Sequence, residues 1–362
     1  MQRTSELIVR CMAQMEPGNI LLFNPAADTL FQELEADGRE VQTWSQDFGD
    51  SRWLLSNGAK AGFGVLPDPV GLPTQIIHAQ IIPGHVIPGH VIVFQPREKD
   101  RLDMLLHFLS HAMPTNGRLW LVGENQSGIK SAGKRLDAYF HTVRKLDSAR
   151  HCVLYQAQSP APSEAFQLEA YLHKWVLDIP PAELRLVSLP GAFAHGRLDR
   201  GTEVLLQAIS RCTGKNVPAG RVLDFGCGIG VIGLSLLTKN PDIQLTLLDD
   251  SALALESARL SLLANELKAE LVPSDGLAEI RQRFDWIVSN PPFHRGVATD
   301  YEVVRRFFAQ ARSVLSKQGK MLLVCNIHLP YETWLAEQFG RVELLDNDSG
   351  YKVLRVSGQN FA

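Results

Sequence analysis

The chain has 362 residues, of which 45% are hydrophobic and 21% charged, with a formal net charge of −3. This is an ordinary globular balance, and the length predicts two domains. No apolar run approaches about 18 residues, which argues against a membrane span, and the first residues lack the apolar core of a signal peptide. Five scattered cysteines without a C-x-x-C pair favour reduced thiols in the cytoplasm and argue against a zinc site.

Charge is distributed unevenly over the first 150 residues. Residues 1–96 carry 5 Lys and Arg against 10 Asp and Glu, whereas residues 97–150 carry 10 against 6. A local basic face is what a phosphate-rich partner requires. A solvated helix surface explains the same residues equally well.

The first half contains one unusual repeat ahead of a regular pattern. The pentapeptide Ile-Pro-Gly-His-Val occurs at 82–86 and again at 87–91. His85 and His90 have no third ligand in sight, so an insertion is favoured over a metal site. A helix at 102–113, a turn and a strand at 118–122 follow.

A Pro-rich segment then divides the chain. It predicts domains at 1–158 and 164–362, joined by a linker at 159–163. Strand-like runs in the second half lie at 221–225, 244–248, 269–272, 286–289 and 320–325. Helical patterns lie between them at 231–237, 252–264 and 301–315. This alternation predicts a mainly parallel sheet with helices on both faces.

The two halves are predicted to share this fold. Residues 20–25 align with 222–226, 91–96 with 286–291, and 118–122 with 320–324. On this alignment the first copy has lost its glycines and its Asn-Pro-Pro sequence. The first domain is therefore predicted to be degenerate.

The strand at 221–225 leads into a glycine-rich loop. Gly226, Gly228 and Gly230 alternate with other residues before a helix, and glycines let the backbone turn sharply and approach a ligand closely. Asp224 precedes the first glycine, where a carboxylate would repel a pyrophosphate and attract a cationic ligand. This argues against a nicotinamide dehydrogenase.

Acids also follow the next two strands. Asp249 ends the strand at 244–248 and can accept both hydroxyls of a ribose; Asp250 is the alternative. Asp275 follows the strand at 269–272 and can receive an adenine amino group, although an Asx turn explains it nearly as well. These residues describe a pocket for adenine, ribose and a charged tail.

The sequence Val-Ser-Asn-Pro-Pro-Phe-His-Arg-Gly at 288–296 follows the fourth strand. Pro291 and Pro292 stiffen the backbone and hold Asn290 extended. Phe293 adds an aromatic ring. Such a segment suits a site that presents carbonyl oxygens and a flat ring to a flat substrate.

With these motifs the chain resembles the class I methyltransferases, which implies S-adenosylmethionine as the cofactor. Asn-Pro-Pro-aromatic marks members that methylate a planar, conjugated nitrogen. The side-chain oxygen of Asn290 and the carbonyl of Pro291 would each accept one N–H of an exocyclic amine, and Phe293 would stack on the base. A methylated amine loses its proton to water without a general base, so His294 is not assigned as one. His294 is predicted instead to contact the substrate.

A narrower resemblance comes from the motifs upstream. Ser-Leu-Pro-Gly-Ala-Phe at 188–193 and Leu-Asp-Arg-Gly-Thr at 198–202 resemble ribosomal RNA guanine-N2 methyltransferases, and the segments at 122–128 and 145–150 resemble their small-subunit member, the methyltransferase C family. This family implies an α/β fold of two tandem Rossmann-like methyltransferase domains, of which only the second keeps the cofactor site. It implies that Asp199 and Gly201 close over the methionine end of the cofactor.

The same resemblance implies 16S rRNA of the small ribosomal subunit as partner and N2-methylguanosine as product. The first domain would support the second and help to bind RNA. We expect a cytoplasmic monomer without a membrane partner. A 23S rRNA guanine-N2 methyltransferase, a protein glutamine methyltransferase and a non-catalytic RNA-binding assembly factor are the alternatives.

Overall fold

A computed structural model describes residues 1–67, 87–161, 164–179, 182–291 and 298–358. The chain divides into two compact units, Met1–Leu172 and His173–Ala362. The predicted linker at 159–163 overlaps the end of a strand, Cys152–Pro160, in the first unit. Within the described ranges, no helix is long and apolar enough to cross a membrane. His85 lies outside them.

The first unit is built around one seven-stranded sheet. Its strands are β1 Ile20–Phe23, β2 Val41–Ser45, β3 Lys60–Phe63, β4 His90–Phe94, β5 Arg118–Glu124, β6 Phe140–Ala149 and β7 Cys152–Pro160. Its helices are α1 Arg3–Cys11, α2 Leu30–Ala36, α3 Phe48–Ser56, α4 Lys99–Ala112 and α5 Gly133–Leu136. The strand order is β3-β2-β1-β4-β5-β7-β6, parallel from β3 to β5, with β7 and β6 antiparallel.

The second unit begins with a separate hairpin, β8 His173–Ile179 and β9 Ala182–Ser188. Its main sheet contains β10 Arg221–Phe225, β11 Gln244–Asp249, β12 Glu270–Pro273, β13 Phe284–Ser289, β14 Leu315–Asn326, β15 Gly340–Asp348 and β16 Tyr351–Gly358. Its helices are α6 Arg200–Ser210, α7 Val231–Lys239, α8 Ala252–Ala264, α9 Ala298–Val314 and α10 Tyr331–Phe339. The order β12-β11-β10-β13-β14-β16-β15 repeats that of the first unit, so the predicted shared fold is confirmed.

The predicted alignment of the two copies is wrong by one residue at the fourth strand. Leu22 pairs with Ile92 in the first unit, and Asp224 pairs with Val288 in the second. Ile92 therefore corresponds to Val288, whereas the sequence alignment matched Val288 with Val93. Asn290 consequently corresponds to Phe94 and not to Gln95.

The remaining predicted elements of the second unit agree with the structure to within a few residues. The turn expected to end at Gly319 lies inside β14, where the pairing with β13 shifts register between Phe284 and Trp286. The hairpin was not predicted. Its inner strand β9 is held to α8 by side chains one helical turn apart, since Ser257 and Ser261 accept hydrogen bonds from the backbone of Leu189 and Val187, both at 3.0 Å.

Helix starts and the buried core fix the carboxyl edge of the main sheet in the second unit. Asp199 caps α6 and Ser251 caps α8, each accepting a backbone N–H of the first turn. On one face of the sheet, Phe225 stacks on Phe307 of α9 with ring centroids 4.0 Å apart. Because β11, β10 and β13 are parallel neighbours, the residues that follow them meet at one edge.

Candidate active site

The glycine loop after β10 turns over the end of β11. The N–H groups of Gly226 and Cys227 both donate to the carbonyl of Leu248, at 2.9 and 3.0 Å. Gly226, Gly228 and Gly230 have φ values of 68°, 55° and 87°, in the left-handed region that side chains rarely adopt. All three predicted glycines are therefore required by the backbone path, and they leave the edge of the loop without side chains.

Asp224 lies beneath this loop. Its side chain is fully buried, and Oδ2 accepts a hydrogen bond of 2.8 Å from the N–H of Gly233 in α7. Within the described part of the chain, its Oδ1 has no hydrogen-bond partner. Burial raises the pKa of this carboxyl to about 7, against the opposing effect of the Gly233 hydrogen bond, and nearby Asp249 adds to the rise. Asp224 thus supports the loop from below, and its direct contact with a cofactor stays a prediction.

Asp249 connects the loop to the end of β11. Its Oδ2 accepts from the N–H of Gly228 at 2.8 Å, and its Oδ1 accepts from the N–H of Ser251 at 2.9 Å. The residue is half-buried. Asp275, after β12, is partly exposed, and its carbonyl accepts from Arg306 of α9 at 2.7 Å.

Asn290 follows β13 directly and is fixed by α6. Its Nδ2 donates to Asp199 Oδ2 at 2.9 Å and to Thr202 Oγ1 at 3.0 Å. The preceding Ser289 donates its hydroxyl to the carbonyl of Phe225 at 2.7 Å, which ties the end of β13 to the start of the glycine loop. Pro291 is buried. Pro292, Phe293 and His294 lie outside the described residues.

The start of α6 is packed tightly around Asp199. A Cβ on Gly201 would lie 3.0 Å from Asp199 Oδ2 and 3.0 Å from the Tyr351 ring. Burial raises the pKa of the Tyr351 hydroxyl, and the nearby carboxylate of Asp199 raises it further. Gly201 therefore makes room for Asp199 and Tyr351, a role in packing that the sequence did not indicate.

Two residues of the site were not selected from the sequence. Thr202 contacts Asn290, and Phe193, 54% exposed, lies beside the glycine loop, where a Cβ on Gly228 would come within 3.6 Å of it. Both residues belong to the sequence motifs on which the family resemblance rests, and those motifs could have identified them. No group of three or more potential metal ligands occurs in the described part of the chain.

Comparisons with known proteins identify the family of this chain. The family model "Methyltransferase small domain" matches residues 183–355, and "Methyltransferase small domain N-terminal" matches residues 5–175. The ribosomal RNA small subunit methyltransferase C of Pseudomonas fluorescens is 36% identical over 98% of this chain and 99% of its own. That of Shewanella loihica is 35% identical over 96% and 97%. The chain belongs to the ribosomal RNA small subunit methyltransferase C family.

A solved structure of the family supports the two-unit fold. The T. thermophilus 16S rRNA N2 G1207 methyltransferase (RsmC), in complex with AdoMet and guanosine, is similar to this chain with a TM-score of 0.81. It is 25% identical, and the match covers 99% of this chain and 92% of that one. The predicted family and the predicted pair of Rossmann-like methyltransferase domains are confirmed.

The first unit of this chain lacks the residues that form the carboxyl edge of the main sheet in the second unit. Its Asn24 N–H donates to Trp44 O, as Gly226 does to Leu248 O, and this pairing fixes the correspondence. The first unit has Leu22, Asn24, Ser45 and Phe94 where the second has Asp224, Gly226, Asp249 and Asn290. The side-chain amide of Asn24 donates to Gln46 Oε1 at 3.0 Å and accepts from the backbone N–H of Gln46 at 2.9 Å. The first copy is therefore degenerate, as predicted.

Proposed function

We propose that this chain transfers a methyl group from S-adenosylmethionine to the exocyclic N2 of a guanine in 16S rRNA of the small ribosomal subunit. Family membership and the ligands of the T. thermophilus relative support this reaction. The observation in this chain that carries the proposal is the placement of Asn290. It follows β13 directly, beside the glycine loop, with its amide nitrogen bound by Asp199 and Thr202.

The carboxyl edge fits S-adenosylmethionine better than a dinucleotide. The positive φ angles of the loop let a ligand approach the backbone closely. The half-buried carboxylate of Asp249 lies at this edge, bound to the N–H of Gly228, and would repel a pyrophosphate and attract a cation. When bound, the cofactor supplies a methyl group on a positively charged sulfur, which a nitrogen lone pair can take.

We assign the cofactor contacts by position. Gly226, Gly228 and Gly230 would contact it through their backbone, and Asp249 would accept the ribose hydroxyls. Asp275 would receive the adenine amino group. Asp224 would act from beneath the loop, through α7. The family also implies that Asp199 and Gly201 lie close to the methionine end.

The substrate nitrogen requires help because its lone pair is delocalised into the base. The side-chain oxygen of Asn290 and the carbonyl of Pro291 would each accept one N–H of the amine. These two hydrogen bonds favour a tetrahedral nitrogen and direct its lone pair toward the donor. Once the nitrogen carries the methyl group it is cationic, and one of its two protons leaves to water. Pro292 would stiffen this segment, Phe293 would stack on the base and His294 would contact the substrate.

The first unit would serve as a non-catalytic partner. We propose domains at 1–158 and 164–362 with a linker at 159–163, the first domain supporting the second and contributing to RNA binding through the basic residues between 97 and 150. We further propose that the protein acts as a monomer in the cytoplasm, without a membrane partner. Its cysteines, all of them free thiols, are compatible with that compartment.

Methyl transfer to isolated subunits tests the proposal. Small and large subunits that lack their own methylation would be incubated with the protein and labelled S-adenosylmethionine. The label should appear as N2-methylguanosine in 16S rRNA. Label in 23S rRNA would favour the large-subunit alternative, and label on protein would favour the glutamine alternative.

The variant Asn290→Ala separates an enzyme from an RNA-binding factor. Transfer should fall by at least about 100-fold while RNA binding is retained, because one transition-state contact is lost. Asn347→Ala, at an exposed position in β15, is the matched control and should leave transfer unchanged. Full activity of Asn290→Ala would contradict the assigned role.

A further inference from the structure

The amide of Asn290 can adopt only one orientation against its neighbours. Asp199 Oδ2 lies 2.9 Å from Nδ2, and Thr202 Oγ1 lies 3.0 Å from the same atom. A carboxylate oxygen only accepts hydrogen bonds, so the NH2 group and not the carbonyl must face Asp199. The carbonyl oxygen of Asn290 therefore occupies the other branch of the amide.

Asp199 is itself held in place. The same Oδ2 atom accepts the N–H of Thr202 at 3.1 Å, as the cap of α6. The N-terminus of a helix favours a negative charge. The absence of a side chain at Gly201 leaves room for this carboxylate, since a Cβ there would lie 3.0 Å from Oδ2. The helix thus fixes the carboxylate, and the carboxylate fixes the amide.

We infer that Asp199 and Thr202 are positioning residues, which hold Asn290 with its oxygen available to accept an N–H of the guanine amine. This inference rests on the proposed function and assigns Asp199 a role different from contact with the methionine end of the cofactor. A reversed amide would set its NH2 group against the substrate NH2 group. Two donors would then face each other, and the accepted hydrogen bond would be lost.

Removal of the carboxylate tests this role. Asp199→Asn would keep an oxygen for both N–H groups that Oδ2 accepts, so the variant used is Asp199→Ala. In Asp199→Ala, the NH2 group of Asn290 keeps only the Thr202 hydroxyl, which can donate as well as accept, so either amide orientation becomes possible. The value of kcat should fall by about 100-fold, with the dissociation constant of S-adenosylmethionine changed by less than about twofold. A cofactor ligand would give the opposite result, a weakened cofactor affinity with kcat unchanged at saturation, and that result would overturn the inference.

Two further variants separate positioning from helix capping. Asp47→Ala removes the cap of α3, where the Asp47 side chain accepts the Asp50 N–H at 3.0 Å, and should leave kcat unchanged. Thr202→Val keeps the Asp199 cap but removes the hydroxyl, and should lower kcat by about tenfold; Thr202→Ser should restore it. Equal losses in Asp47→Ala and Asp199→Ala, or full activity of Thr202→Val, would contradict the inference.

A second substitution at position 290 should rescue the first. In Asp199→Ala with Asn290→Asp, one oxygen of the new carboxylate can accept from the Thr202 hydroxyl while the other faces the substrate amine. Since both oxygens accept, the orientation no longer matters, and kcat should recover at least tenfold over Asp199→Ala. A double variant no more active than the single one would count against positioning.

A measurement without RNA separates this inference from the proposed function. The side-chain NH2 resonances of Asn290, assigned by their loss in Asn290→Ala, should exchange with water at least tenfold faster in Asp199→Ala than in the wild type. Unchanged exchange would refute the positioning role. A wild-type protein that methylates no guanine would refute the proposed function instead, whatever the exchange rates are.

Discussion

The carboxylate of Asp249 accepts the N–H of Gly228 at 2.8 Å, so the acid that ends β11 also fixes the middle of the glycine loop. Its second oxygen accepts the N–H of Ser251 at 2.9 Å. One side chain thereby holds the loop and the start of α8 together.

Asp249→Asn should weaken cofactor binding. An amide has only one accepting oxygen, so one of the two backbone N–H groups would face an NH2 group. Hydrogen bonds to a charged group contribute about 1.5–3 kcal/mol, which corresponds to a dissociation constant roughly 10- to 100-fold higher. Titration calorimetry with S-adenosylmethionine measures it. Asp250→Asn should change the constant less than twofold, and the reverse ranking would assign the ribose contact to Asp250.

Gly228→Ala should abolish cofactor binding by occupying the loop surface. Its φ of 55° costs about 1–2 kcal/mol for any residue with a Cβ, and the new methyl would lie 3.6 Å from Phe193. Gly38→Ala is the matched control, because its φ is 84° and a Cβ there meets nothing within 4 Å. Both variants should lose similar stability in thermal unfolding, and only Gly228→Ala should lose affinity for the cofactor. Equal affinity in the two would contradict the assigned role.

The ionisation of Asp224 should make stability depend on pH. Burial raises the pKa of this carboxyl from 3.8 to about 7. Because the folded state holds the proton more tightly than the unfolded state, this group favours folding most at low pH, and the contribution is lost as pH rises toward 7. Asp224→Asn cannot ionise but retains an oxygen for Gly233.

The unfolding free energy of Asp224→Asn, minus that of the wild type, should therefore increase from pH 5 to pH 7 and level off above pH 8. Urea denaturation at each pH, followed by a probe in the second unit, measures this difference. A difference that stays constant over the range would show that Asp224 does not titrate there.

The sequence was sufficient for most of the fold, because alternating strands and helices have distinct periodicities. It failed at β4, where the alignment was one residue off. A strand buried on both faces is apolar throughout, so hydrophobicity does not reveal a shift in register. The hairpin of β8 and β9 was missed as well, since most residues of β8 are exposed and its apolar run spans only residues 175–177.

The glycine loop and the acids that follow the strands could be located from the sequence because each is a local motif. The contact between Asp199 and Asn290 could not, since 91 residues separate them and no periodicity connects a helix cap to a strand end. The packing of Trp44 in the first unit could not be predicted from the sequence either. Its ring packs against Gly62 of β3 and against Gly64 just after that strand, where a Cβ would lie only 2.6 and 2.9 Å from the ring.

The most direct measurement is a crystal structure of the protein with S-adenosylhomocysteine and guanosine. The S-adenosylhomocysteine should lie on the loop from Gly226 to Gly230. The guanine N2 should lie within about 3.2 Å of Asn290 Oδ1 and of the Pro291 carbonyl oxygen. A cofactor bound elsewhere, or an Asn290 oxygen that bonds the protein and not the base, would contradict the proposed mechanism.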